Sequence, residues 1–413
     1  MPEVDTPVLL ALQGPGETEL VAAINATPGI TVTRRCGDVA ELLGAAGARV
    51  GAIAVVTASY LGIDRVLVAR LHQMGVQVLG VASPEDMDRV AALGVDATVD
   101  GAAGTAAVIA ALGRLRRVGP PPPPPAAPGG ASGGSVVTVW GTTGAPGRTT
   151  VAVNLAHALA GFGSVGLIDA DTRAPSVAQT LGMLEESSAI AIATRAASQG
   201  RLDAATLDTC FPLVGGIPVM SGLTRPDRWR EVPGAGLEVV VSQARLRYDW
   251  TVLDVAGGWE SEDTGFETAF APARNGAQAT ALRHSDVVAV VGAADPVGMH
   301  RLVTLMADKP RLQAREVVVV TKLRSAVAGP SPAHAVREAL ARFAGVGEAI
   351  LVTDDRSGLD AALMAGEYLA VASPRSPALH GVEELARTIA GEPRKRQRAA
   401  GRRAIAGSPA RGR

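Results

Sequence analysis

The sequence predicts two α/β domains, each on a mostly parallel sheet, joined by a short linker. Three observations predict it. Short apolar runs alternate with helical patterns of about ten residues on both sides of position 120, as βαβ units do. Six consecutive prolines, Pro120 to Pro125, lead into the Ala/Gly/Ser-rich run 126–135, a stiff spacer followed by a flexible one. The chain has 413 residues, 47% hydrophobic and 19% charged. That is enough apolar material for two or three cores and too much for a disordered chain.

In the first domain, residues 1–116, strands are expected over 7–13, 30–34, 51–57, 76–81 and 97–100. Helices are expected over 17–26, 39–45, 63–74, 84–93 and 104–115. Five strand–helix units of this size resemble the receiver (flavodoxin-like) domain of response regulators. A working receiver needs an acidic pair after its first strand, a phosphoacceptor Asp ending the third and a Lys ending the fifth. Here the first strand ends Leu12-Gln13-Gly14, the third ends Thr57-Ala58-Ser59, and no lysine precedes Lys309. Asp64 stands where a helix begins and is expected to cap it. The domain is therefore expected to be a pseudo-receiver that docks or dimerises without being phosphorylated. The linker is placed at 117–135.

In the second domain, residues 136–391, strands are expected over 136–140, 165–169, 250–254, 287–291, 317–320 and 349–352. The first of them runs into Gly141-Thr142-Thr143-Gly144-Ala145-Pro146-Gly147-Arg148-Thr149-Thr150 and then a strongly helical segment. Strand, glycine-rich turn and helix form the context in which backbone N–H groups and a helix N-terminus hold phosphate. Against G-x-x-x-x-G-K-[ST], Thr142 takes the place of the first Gly, Gly147 the second, Arg148 the Lys and Thr149 the hydroxyl. Two more apolar strands end in carboxylates, one in Asp169-Ala170-Asp171 and one in Asp254. A strand-end Asp beside such a loop steadies the Mg²⁺ of a nucleotide.

Residues 136 to about 391 thereby resemble the ParA/MinD superfamily of deviant Walker A P-loop ATPases. The order of pseudo-receiver, linker and P-loop domain looks like the CpaE/TadZ branch, associated with Flp/Tad pilus assembly, and like actinobacterial septum site-determining proteins. The resemblance implies ATP and Mg²⁺ as cofactors. It implies Gly144, Ala145, Pro146, Gly147, Arg148, Thr149 and Thr150 around the phosphates, with Thr149, Asp169 and Asp254 about the metal. Asp171 would orient the attacking water, with Arg148 as the loop cation beside it. The run Leu351-Val352-Thr353-Asp354-Asp355-Arg356 resembles the family's segment near adenine, implying Asp354 and Asp355 as further nucleotide contacts. A homodimer is implied, with pilus or septum proteins bound through the receiver-like domain.

The departures from that pattern bear on rate. The family's signature lysine would fall at Thr143 and its principal lysine at Arg148, and Pro146 removes one N–H from the cradle. Arginine keeps the charge but is a planar fork where lysine is a compact point charge. Thr321-Lys322 stands where a base-contacting Asn often does. Nucleotide binding with weak or no hydrolysis is the expectation. The alternatives are a nucleotide-free scaffold and a ParA-like partition protein acting on DNA.

Charge bears on the last of these. Only Lys309, Lys322 and Lys395 are lysines among the 39 basic residues, and residues 392–413 carry a net +7, which leaves −8 for the body. A DNA-binding ATPase domain is expected to be basic itself. The tail reads as a solvated segment able to touch anionic lipid or nucleic acid electrostatically, with too little apolar content to insert in a membrane. Cys36 and Cys210 are too few for a disulfide framework or a zinc site. His157 and His284 lack partners at metal-ligand spacing. No secretory leader is expected from the first seven residues, and the apolar runs fall short of the ~20 residues of a membrane helix. A cytoplasmic protein, peripheral at most at the inner membrane face, is the resulting expectation.

Overall fold

The computed structural model describes residues 5–12, 16–60, 62–119, 133–144, 146–184, 187–259 and 273–391. The proline run of the linker, the basic tail 392–413 and Ala145 lie outside the described residues.

The first domain is a five-stranded parallel sheet: β1 (Thr6–Ala11), β2 (Ile30–Arg35), β3 (Ile53–Thr57), β4 (Gln77–Ala82) and β5 (Ala97–Asp100), in the order β2-β1-β3-β4-β5. The strands are near-continuous Val/Leu/Ile/Ala runs because helices cover both faces. Leu9, Ala54 and Val56 face one core, and Val8, Leu10 and Val55 the other. Asp64 caps the helix Arg65–Gln73, its carboxylate accepting the Leu67 N–H at 2.7 Å. The last helix, Gly104–Val118, runs two residues past the expected boundary at 116.

The second domain holds β6 (Ser135–Gly141), β7 (Val165–Ala170), β8 (Leu213–Val214), β9 (Ile217–Met220), β10 (Trp250–Val255), β11 (Val287–Ala293), β12 (Arg315–Leu323) and β13 (Ile350–Thr353). They form one sheet in the order β13-β12-β11-β6-β10-β7-β9-β8, parallel except for the β8–β9 hairpin. The six expected strands are present, and the hairpin adds two. Its two-residue loop is Gly215-Gly216, at φ +54° and +85°, which a tight hairpin turn requires and glycine supplies without steric cost.

β6 is central, and its neighbours leave no room beside it. A methyl group at Gly141 would lie 2.0 Å from the Val291 carbonyl oxygen of β11. Gly141→Ala should therefore force two paired strands apart and cost about 2–4 kcal/mol; a thermal denaturation midpoint equal to wild type would contradict this. The helix Arg148–Leu159 is buried on nearly all sides, between the sheet and the helix Pro377–Ala390. It is thus a fixed platform for whatever its N-terminus holds. Cys36 and Cys210 are both buried. No helix among the described residues is long and apolar enough to cross a membrane.

Candidate functional site

The loop between β6 and the helix Arg148–Leu159 turns through Gly144 and Gly147, at φ +85° and +94°. Gly147 is the helix N-cap and provides no side-chain cap. The first-turn N–H groups of a twelve-residue helix are thus left for an outside acceptor, where the helix dipole also favours negative charge. Pro146 is held from the side, its carbonyl accepting the Thr321 hydroxyl of β12.

Two carboxylates meet behind this loop because β10 and β7 are paired with Asp254 opposite Asp169. Both are buried, at 0% and 1% exposure. Asp254 Oδ2 accepts the Thr149 hydroxyl at 2.6 Å, and Asp254 Oδ1 has no partner. Asp169 is spoken for: Oδ1 accepts the Asp171 N–H, and Oδ2 accepts the N–H groups of Ser176 and Val177, both at 3.0 Å. It anchors the segment after β7. Burial, reinforced by the charge of Asp171, pushes the Asp169 carboxyl up to about 7. Burial and the charge of Asp169 push Asp254 well above the carboxylate range.

Asp171 Oδ1 accepts the N–H groups of Arg173 and Ala174 at 2.8 Å each, and Oδ2 lies 3.4 Å from Arg148 Nη2. Arg148 is neither a surface charge nor a cap partner. Its side chain is 13% exposed and folds inward, with Nη1 donating to Thr142 O at 2.6 Å and Nε to Val255 O at 3.2 Å. One guanidinium thereby ties together the loop, the end of β10 and Asp171. Its planar fork suits two carbonyls and a carboxylate as an ammonium would not. Gly257 permits the arrangement, since a methyl group there would sit 2.3 Å from Arg148 Nη1.

On the other side of Gly147 a cavity of about 450 Å³ opens, lined among others by Pro146, Thr150, Asn154, Lys322, Arg324 and Asp354. Asp354 pairs with Arg324 and, at 3.4 Å, with Arg356. Asp355 instead caps the helix Arg356–Ala365 through the Gly358 N–H and does not line the cavity. Lys322 holds a left-handed backbone at φ +56°, a conformation that non-glycine residues adopt mainly where surrounding structure imposes it, often at binding sites. Asn154, Ser176 and Arg324 carried no motif signal. Ser176 lies 3.1 Å from Thr149 Oγ1, and Asn154 donates to Thr150 O and accepts the Leu369 N–H. His157 packs on the Tyr368 ring, centroids 4.8 Å apart.

No protein-family model and no curated protein matches the sequence. Solved structures do match the fold. The ParA family ATPase from Chlorobium tepidum TLS is 16% identical over 62% of this chain and 98% of its own, with a TM-score of 0.51. The chain shares the ParA ATPase fold. The Pyrococcus furiosus cell division ATPase MinD gives 14% identity over 62% and 98%, and the Pyrococcus horikoshii septum site-determining protein MinD complexed with Mg-ADP gives 14% over 63% and 99%, both at a TM-score of 0.49.

The ParA ATPase fold implies a nucleotide with Mg²⁺ at the loop after the central strand. The glycine turns and uncapped helix suit phosphate. Among the described residues no cluster of three or more His, Cys, Asp or Glu side chains is arranged to ligate a metal. Mg²⁺ takes one or two protein ligands and fills the rest with phosphate oxygens and water. The unpartnered Asp254 Oδ1, beside the Thr149 hydroxyl, is a buried acceptor that such a hydrated cation would satisfy. The residues fit.

Proposed function

We propose that the second domain binds ATP with Mg²⁺ at the loop 144–150 and that occupancy switches self-association, with turnover weak. The observation that carries this reading is the Thr149–Asp254 pair behind an uncapped helix N-terminus, with one Asp254 oxygen left unpartnered. Bound Mg²⁺ would supply charge neutralisation on the phosphates. Thr149 and Asp254 would hold it, while the N–H groups at the start of the helix would donate to phosphate oxygens. Asp354, Arg324 and Asn154 would face the base in the adjoining cavity.

Hydrolysis requires a group that orients and deprotonates water, and Asp171 stands closest to that task. Its carboxylate is already held by two backbone N–H groups and by Arg148. Releasing it means breaking those two hydrogen bonds and its ion pair with Arg148, which is itself fixed by Thr142 and Val255. This supports a slow switch over a fast enzyme. We further propose membership of the CpaE/TadZ branch and a role in localising pilus or septum machinery, the first domain docking to the partner. The inward fold of Arg148 also favours a second reading, a scaffold that never takes nucleotide.

Light scattering on the full chain separates the two. ATPγS with Mg²⁺ should shift the protein to a dimer and ADP should not. An unchanged mass with ATPγS contradicts the switch.

A further inference from the structure

The loop carries one cation, and its donors all point inward to Thr142, Val255 and Asp171. Thr143 brings none. The mouth of the loop nonetheless holds a positive charge, from a residue more than 150 positions away. Arg301 lies on the helix Pro296–Asp308, which follows β11, the neighbour of β6. Its guanidinium rests on the Gly144 turn: a methyl group built there would sit 2.0 Å from Nη1 and 3.1 Å from Cζ. Arg301 is exposed and makes no hydrogen bond or ion pair among the described residues. The two can approach because Gly144 carries no Cβ.

The position on the loop says which phosphate it would meet. The cavity that would take the base is lined by Pro146, Gly147 and Thr150 and not by Gly144. Gly144 thus marks the end of the loop away from the base. We propose that Arg301 reads the terminal phosphate of a nucleoside triphosphate, supplying within the same chain the cation that Thr143 lacks and Arg148 withholds. An arginine with free donors forms charge-assisted, fork-like bonds to phosphate. The proposal rests on the nucleotide-binding reading above and adds its specificity for triphosphate over diphosphate.

The test is equilibrium titration of the full chain with mant-ATP and mant-ADP, each with Mg²⁺, for wild type, Arg301→Ala and Arg301→Lys. Arg301 is exposed, so the variants should melt as wild type does. Arg301→Ala should weaken mant-ATP binding about tenfold while leaving mant-ADP within about twofold, and Arg301→Lys should recover most of the loss. Equal losses for both nucleotides, or no loss for either, overturn the proposal while leaving nucleotide binding intact. Wild type that binds neither nucleotide overturns both.

Discussion

Arg148→Lys should raise ATP hydrolysis at least tenfold and lower the stability of the nucleotide-free protein by about 1–3 kcal/mol. The two effects share a cause. The guanidinium donates from three nitrogens to Thr142 O, Val255 O and Asp171 Oδ2. An ammonium on a shorter stem cannot span these acceptors together, so Val255 O and Thr142 O lose a partner where burial makes the loss costly. The same loss releases Asp171 from its ion pair and frees the loop cation for phosphate. Phosphate release and thermal denaturation of the same preparation test the pair. Faster turnover with unchanged stability would show that Arg148 is not the tie, and unchanged turnover would show that it is not what limits the rate.

Asp254→Asn should abolish the Mg²⁺ dependence of nucleotide binding and raise the melting temperature of the nucleotide-free protein above pH 7 by several degrees. The second effect follows from burial. Asp254 and Asp169 are fully buried neighbours, and both carboxyls hold their protons far above the range of an unfolded chain. A raised carboxyl means that the fold binds more protons than the unfolded chain between about pH 4 and the raised value, about 7 for Asp169. Stability therefore falls as pH rises through that window. The wild-type protein without nucleotide should melt higher at pH 5.5 than at pH 7.5, and Asp254→Asn should flatten that slope by removing one of the two charges. A variant with the wild-type slope would place the titration elsewhere. Function would then be the reason for keeping a carboxylate that the empty fold is more stable without.

Apolar runs bounded by glycine and polar turns located every long strand because buried parallel strands are hydrophobic on both faces. The β8–β9 hairpin escaped because its strands have two and four residues and one contains Pro218. The Gly215-Gly216 pair was its legible signal. Thr149 was recognisable from the loop motif and Asp169, Asp171 and Asp254 from strand ends, but their division of labour was not. Asp169 is consumed by the N–H groups of Asp171, Ser176 and Val177, and backbone donors leave no trace in residue identity. Arg148 was legible as a departure from lysine, whereas its direction depends on Val255 O, a carbonyl on another strand. Arg324 beside Asp354 and Arg301 over Gly144 arise from tertiary approach alone.

We propose above that the Thr149–Asp254 pair holds the metal of a bound nucleotide. The most direct measurement is equilibrium binding of a fluorescent ATP analogue to wild type and Thr149→Ala, with Mg²⁺ and with EDTA. Wild type should bind saturably and more weakly in EDTA, and Thr149→Ala should bind as wild type does in EDTA whether Mg²⁺ is present or not. No saturable binding by wild type at millimolar nucleotide, or a Mg²⁺ effect that survives Thr149→Ala, would contradict the claim.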